Sequence, residues 1–439
     1  MKGLRVPLLL LLVALLVAGA LMVRPAMQVA VGYSAKQLCS GVFVAGLPAS
    51  FTQEKDILPR MAILGPLRSA LHMSVDESAG RVSASLLGVH AQAVHLPRRG
   101  CTLHASGEGV GPLDAAPLES PGPGVPGDLA AAMDEAFAEP AGGGRNTQAL
   151  LVSRGGTLLA ERYAPPVDAG TRLQGWSMNK SLMATWIGLQ VQDGNLDPTR
   201  PLRELLRGQV EGEQLDPTLT LLHLLQMESG LDFEEVYGPG SDVTQMLYLS
   251  REMWKLPASL EQAYRPGEHF SYSSGDTVFA SYVWQGSLDR PYEQWIAERF
   301  ANPLGISSLV AEADASGVQV GSSYAYLTAR DWLRAGQLWL DAWHGRSALL
   351  SQDWLRDSVL RHDSDPRGRY GRGFWLNSDG VAFPGMPETL FYAGGNAGQY
   401  VAVIPEWEMV VVRLGLTDPD VDTGFEAFLG KLAARRDEL

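Results

Sequence analysis

The chain has 439 residues, a formal net charge of −14 and a pI near 5.1. That acidic balance excludes the basic footprint a nucleic-acid partner needs, and it works against adsorption to anionic lipid. Hydrophobic residues make up 46% of the sequence, enough for a large core and more than a single average domain.

The N-terminus reads as a targeting segment. Lys2 and Arg5 precede an unbroken apolar run over residues 6–23. Its length suits a signal peptide or an uncleaved membrane anchor, and Ala18-Gly19-Ala20 is a candidate cleavage site. Residues 1–27 are assigned to this segment, with membrane attachment through 6–23 as one of the two outcomes. The basic flank places the remainder outside, in the periplasm or on the extracellular side. Cys39 and Cys101 are the only cysteines. An oxidising compartment favours a disulfide between them, against the alternative of two free buried thiols. Both lie in a small N-terminal module, residues 28–104.

Residues 105–127 are rich in Gly and Pro and read as a linker. The segment 128–439 is the larger unit. It opens with a helix, Asp128 as its N-cap and Pro140 marking its end. "QALLVSRGGTLLAERYAP" reads as a hairpin around Gly155-Gly156, and "QYVAVIPEWEMVVVRLG" (399–415) as a second one turning at Pro405-Glu406. Helical patterns fill the interval: 177–193, 218–228, 275–286, 291–300 and 328–344. A last helix closes the chain. Strands at both ends of a helical middle predict an α+β fold, an antiparallel sheet covered by helices with an inserted helical subdomain. A cleft between sheet edge and inserted helices is the natural place for a site.

Within "GWSMNKSLMATWIGLQ" (175–190), Ser177 and Lys180 stand at i and i+3, on one face of a helix start. A serine hydroxyl is a poor nucleophile until a neighbour takes its proton, and a buried lysine of lowered pKa is able to do so. One Ser-x-x-Lys tetrad is expected by chance in a chain this long. Two further segments add to it. "YRPGEHFSYSSGDTVFASYVW" (264–284) places Tyr272 and Ser274 before a helix, and a phenol there is suited to relaying a proton. "FYAGGNAGQYVAVIP" (391–405) crowds glycines at the start of a strand, where a backbone N–H can serve an oxyanion.

This ordered set resembles the serine hydrolases related to class C β-lactamases, a group that includes penicillin-recognising enzymes, D-aminopeptidases, esterases and 6-aminohexanoate-dimer hydrolases. The resemblance spans 128–439. It extends to "LTLLHLLQMESGLDFEE" (219–235), to "YGRGFWL" (370–376), and to the Gly-Gln pair followed by a strand and Pro-Glu, which looks like the amidase and esterase branch. It implies the β-lactamase/transpeptidase-like fold, with Ser177 as acylated nucleophile, Lys180 as base and Tyr272 as proton shuttle. Ser274, Asn396, Gly398 and Gln399 would bind substrate, Gln399 through its backbone N–H as second oxyanion donor. Where related β-lactamases carry Lys- or His-x-Gly, this chain has Asn396-Ala397-Gly398, which weakens recognition of a penicillin carboxylate. The expected substrate is a small amide or ester, with no metal and no organic cofactor needed.

Other chemistries lack their motifs: there is no Gly-x-Ser-x-Gly elbow, no metal-like histidine spacing and no phosphate-cradling loop. His269 reads as structural, and Trp176, Trp254 and Trp284 as core. The acidic run Glu228, Asp232, Glu234, Glu235 and Asp242 reads as a solvated loop, or else as a cleft wall favouring cationic substrates. The competing functional readings are a β-lactamase or D-alanyl carboxypeptidase, and a catalytically silent envelope binding protein.

Overall fold

The structure, a computed structural model, describes residues 23–116, 127–208 and 214–436. The apolar run up to residue 22, with its candidate cleavage site, lies outside them, as do residues 117–126 of the linker and the side chain of Asp128. Among the described residues no helix is long and apolar enough to cross a membrane.

The two hairpins of the larger unit meet as the strand patterns predict. β5 (Thr147–Arg154) and β6 (Thr157–Tyr163) form one; β12 (Gln399–Ile404) and β13 (Met409–Gly415) form the other. They join through an antiparallel β13–β5 pairing. With β10 (Trp375–Leu376) and β11 (Phe391–Gly395) the sheet runs β10-β11-β12-β13-β5-β6. Alternation along β13 divides its side chains between two cores. Val410 and Val412 face the larger cluster with Trp339 of the helix Ala329–Trp343. Met409 and Val411 face the opposite layer, where α2 (Gly127–Phe137) packs with the C-terminal helix Phe425–Ala433 through Met133, Phe425 and Phe428. The helix expected over 328–344 runs Ala329–Trp343 and is capped by Thr328, whose side chain accepts from the Asp331 N–H. The helix predicted over 218–228 shrinks to Leu221–Leu225, because Met227 takes a positive φ and ends it.

The N-terminal module holds a helix α1 over residues 23–39 and an antiparallel meander: β1 (His72–Asp76), β2 (Arg81–Leu86), β3 (Val89–Leu96) and β4 (Gly100–Leu103). The boundary expected between residues 27 and 28 falls inside α1, whose Met27 is already buried. A disulfide joins Cys39, at the end of α1, to Cys101 on β4. This module does not stand apart. Val31, Leu38 and Phe43 share one core with Leu182, Trp186 and Trp284 of the larger unit. A buried ion pair, Lys36 with Glu312, crosses the same boundary. The Glu312 carboxylate also accepts from Ser40 Oγ at 2.9 Å and from the Cys101 N–H at 2.7 Å.

Residues 105–116 depart from the flexible linker their composition predicts. They are pinned by Val110 N–H to the His95 carbonyl, Leu113 N–H to Phe43 and Ala116 N–H to Gly170. Gly109 serves close approach here: a Cβ on it would lie 2.1 Å from the Ala79 carbonyl oxygen.

Candidate active site

Ser177 lies in a 3-10 turn, Trp176–Met178, that runs directly into α3 (Asn179–Gln192). The short strand β7 (Leu173–Gln174) feeds this turn, and Trp176 takes a φ of +48° to make the bend. A left-handed conformation at a bulky aromatic is strained, and strain of this kind concentrates at functional sites. Lys180 is one turn on and buried, as the i, i+3 spacing requires. Its Nζ lies 3.2 Å from Ser177 Oγ, 3.1 Å from Ser274 Oγ and 3.2 Å from the Ser322 carbonyl oxygen. Burial pulls the lysine pKa down to about 8, against the opposing pull of Glu235 and Asp276. A neutral amine in this cage still donates to Ser274 and Ser322 and has a lone pair for the Ser177 proton.

Tyr272 stands beside the same hydroxyl. Its ring lies 4.7 Å from Lys180 Nζ, measured to the centroid, and the phenol is near enough to the Ser177 side chain for that hydroxyl to oppose the rise of its pKa. Trp375 stacks against the ring and Tyr370 meets it edge-on. Burial, with a further contribution from the Glu235 charge, pushes the phenol pKa well up, so it holds its proton.

Ser274 departs from the substrate-binding position expected of it. It is fully buried at the start of the helix Ser274–Gly286, accepts from Lys180 and donates to Glu235 Oε1 at 2.7 Å. Glu235 Oε2 accepts the Ser274 N–H, also at 2.7 Å. Burial raises the Glu235 pKa against the pull of Lys180. Ser274 and Glu235 therefore position the lysine from behind. The acidic run divides accordingly: Asp232 and Glu234 are exposed, whereas Glu235 turns inward to the lysine. Only the inclusion of Glu235 in a run with a possible cleft-facing role signalled this.

At the glycine-rich strand, Asn396 is exposed at the β11–β12 turn, and Gly398 takes a φ of +78° there. The Gly398 carbonyl is held by the buried Arg413 guanidinium at 2.5 Å. Gln399 stands on β12, paired in register with Gly395, and is buried. Its side chain closes the turn, donating to Asn396 O at 3.0 Å and accepting from the Gly415 N–H at 3.0 Å. The backbone that lies against the nucleophile turn is that of Gly395: a Cβ there would come within 2.1 Å of the Gly175 carbonyl oxygen. The end of β11 thus lies against the turn that carries Ser177. Among the described residues no group of His, Cys, Asp and Glu is arranged to hold a metal ion. His269 stacks on Tyr264.

Comparison with known proteins fits this geometry. Residues 130–434 match the β-lactamase family. A 6-aminohexanoate-dimer hydrolase from Paenarthrobacter ureafaciens is 27% identical over 305 residues, 63% of this chain and 74% of that protein. A penicillin-binding protein from Bacillus halodurans superposes with a TM-score of 0.54 at 17% identity, over 70% of this chain and 99% of its own. A penicillin-binding protein homologue from Caulobacter crescentus does so with a TM-score of 0.56 at 14% identity, over 71% and 98%. At such identities the structural likeness speaks for the fold, and the family match carries the assignment: the chain belongs to the β-lactamase family and is a serine hydrolase.

Proposed function

We propose that the protein is an exported hydrolase that cleaves amide or ester bonds of small substrates through an acyl-enzyme on Ser177. The observation that carries this reading is the buried Lys180 Nζ, 3.2 Å from Ser177 Oγ and 4.7 Å from the centroid of the Tyr272 ring. Neutral Lys180 takes the Ser177 proton as Oγ bonds to the substrate carbonyl carbon. The oxyanion is met by the Ser177 N–H at the head of α3 and by a backbone N–H from the end of β11. Tyr272 passes the proton to the departing nitrogen or oxygen as its bond to the acyl carbon breaks. Water then attacks the ester on Ser177, and its proton returns by the same pair.

A penicillin carboxylate is a poor fit, since Asn396 offers no cation where related β-lactamases have one. Export is supported by the apolar run at 6–23 and by the disulfide, which persists in an oxidising compartment. The test is labelling with a fluorophosphonate probe. Wild type should react and Ser177→Ala should not; labelling that survives the substitution would remove Ser177 as nucleophile.

A further inference from the structure

The N-terminal module contributes to the wall of a cavity that reaches Trp176, the residue before the nucleophile. This cavity, of about 550 Å³, is lined on one side by Val23, Ala26 and Ala30 of α1. Ile63, Leu64 and Leu67, from the 3-10 segment Met61–Ala70, continue the same side. The lining also includes Trp176 and, from the β11–β12 turn, Asn396, Ala397 and Gly398. The volume lies within the ~300–1,000 Å³ usual for small-molecule sites. Spacing at i, i+3 and i+7 puts the three α1 residues on one face of the helix.

Two features assign an occupant. Val23, Ile63 and Leu67 are large apolar side chains left exposed, at 41%, 72% and 37%, and they converge on this one cavity. Converging exposed apolar groups mark a binding surface. The charged side chains among the lining residues, Arg60 and Asp418, are of opposite sign, and Arg60 is held by Asp56 at 3.0 Å. The wall therefore favours an uncharged apolar group. The second feature is position. Ser177, Lys180, Tyr272 and Ser274 do not themselves line the cavity; it meets the site through Trp176 and the turn after β11. The leaving group departs towards Tyr272, which does not line the cavity, so the acyl part is the one assigned to it.

We infer that residues 23–70 form an acyl-chain pocket, making the enzyme selective for esters or amides of medium-length aliphatic acids. The wall lies outside residues 130–434, the part that matches the family. The inference rests on the hydrolase reading given above.

The test is the kcat/KM of the full chain on p-nitrophenyl acetate, butyrate, hexanoate and octanoate, each below its micellar concentration. Each further methylene taken out of water favours binding, so wild type should prefer octanoate to acetate by about tenfold or more. Ile63→Asp with Leu67→Asp, both at exposed positions, should bring the octanoate-to-acetate ratio back towards one. A flat wild-type series overturns the inference, whether or not the variant folds. So does a ratio that the folded double variant leaves unchanged. A parallel series of acetates with lengthening alcohols should stay flat; a rise confined to that series overturns the acyl assignment. Ser177-dependent labelling separates the two levels. Labelling with a flat acyl series removes the pocket alone, whereas no labelling and no turnover removes the hydrolase reading as well.

Discussion

At the scale of single residues, the site depends on an amine that can give up its proton close to neutral pH. Burial lowers the Lys180 pKa to about 8, with Glu235 and Asp276 opposing the shift. The base form is the neutral amine, so kcat/KM should rise with pH through a limb near 8 and level off above it. Lys180→Arg keeps a cation near Ser177 and Ser274 but cannot give up its proton near neutrality. It should lower kcat/KM by roughly a hundredfold to ten-thousandfold and abolish the limb; a profile unchanged in Lys180→Arg would remove the lysine as base. The Ser177–Lys180 relation was legible in the sequence because helix geometry alone sets it. Tyr272 was legible through its place before a helix and its resemblance to a known motif. The Glu235–Ser274–Lys180 chain was not, since its members lie 39 and 94 positions apart in sequence and only the packed helices bring them together. Nor was the bend at Trp176, where a tryptophan takes a backbone conformation that local preference opposes.

Among the elements, the hairpin strands of the larger unit announced themselves by β-type runs around turn residues, and an antiparallel sheet built from both ends of the unit was legible, though not β10 and β11 at its edge. The meander β1–β4 passed unread. Its strands alternate in burial, but β1 and the first half of β3 are no more than half-buried, so the apolar signal is weak. What secures this module to the enzyme is α1, through Lys36. Burial lowers the Lys36 pKa while Glu312 opposes the shift, and the ammonium also lies 3.9 Å from the Tyr324 ring centroid. Removing one member of a buried pair leaves the other charge uncompensated, at a cost of about 3–5 kcal/mol. Lys36→Met should destabilise by that amount in urea unfolding. Adding Glu312→Gln should recover most of it, because a neutral amide still accepts from Ser40 and Cys101. Equal stability of the single and double variants would show that the pair does not couple the elements.

For the molecule as a whole, the question is whether the chain behaves as two domains or one. Its composition suggested two, parted by a Gly/Pro-rich linker. The structure answers with a shared core, a buried ion pair across the boundary and a pinned segment at 105–116. A boundary crossed by this much apolar contact should not open alone. Urea should therefore unfold the protein in one transition, with far-ultraviolet dichroism and Ser177 labelling lost together. The disulfide acts on the same equilibrium. It closes a loop of 62 residues, and its main effect is on the entropy of the unfolded chain. Cys39→Ser with Cys101→Ser should then lower the stability of that single transition by about 2–4 kcal/mol without splitting it. If the variant instead showed an early transition that released the N-terminal module while labelling of Ser177 persisted, the module would be an independent domain. The octanoate preference would be expected to vanish at that early step, because the wall that confers it would have left the site.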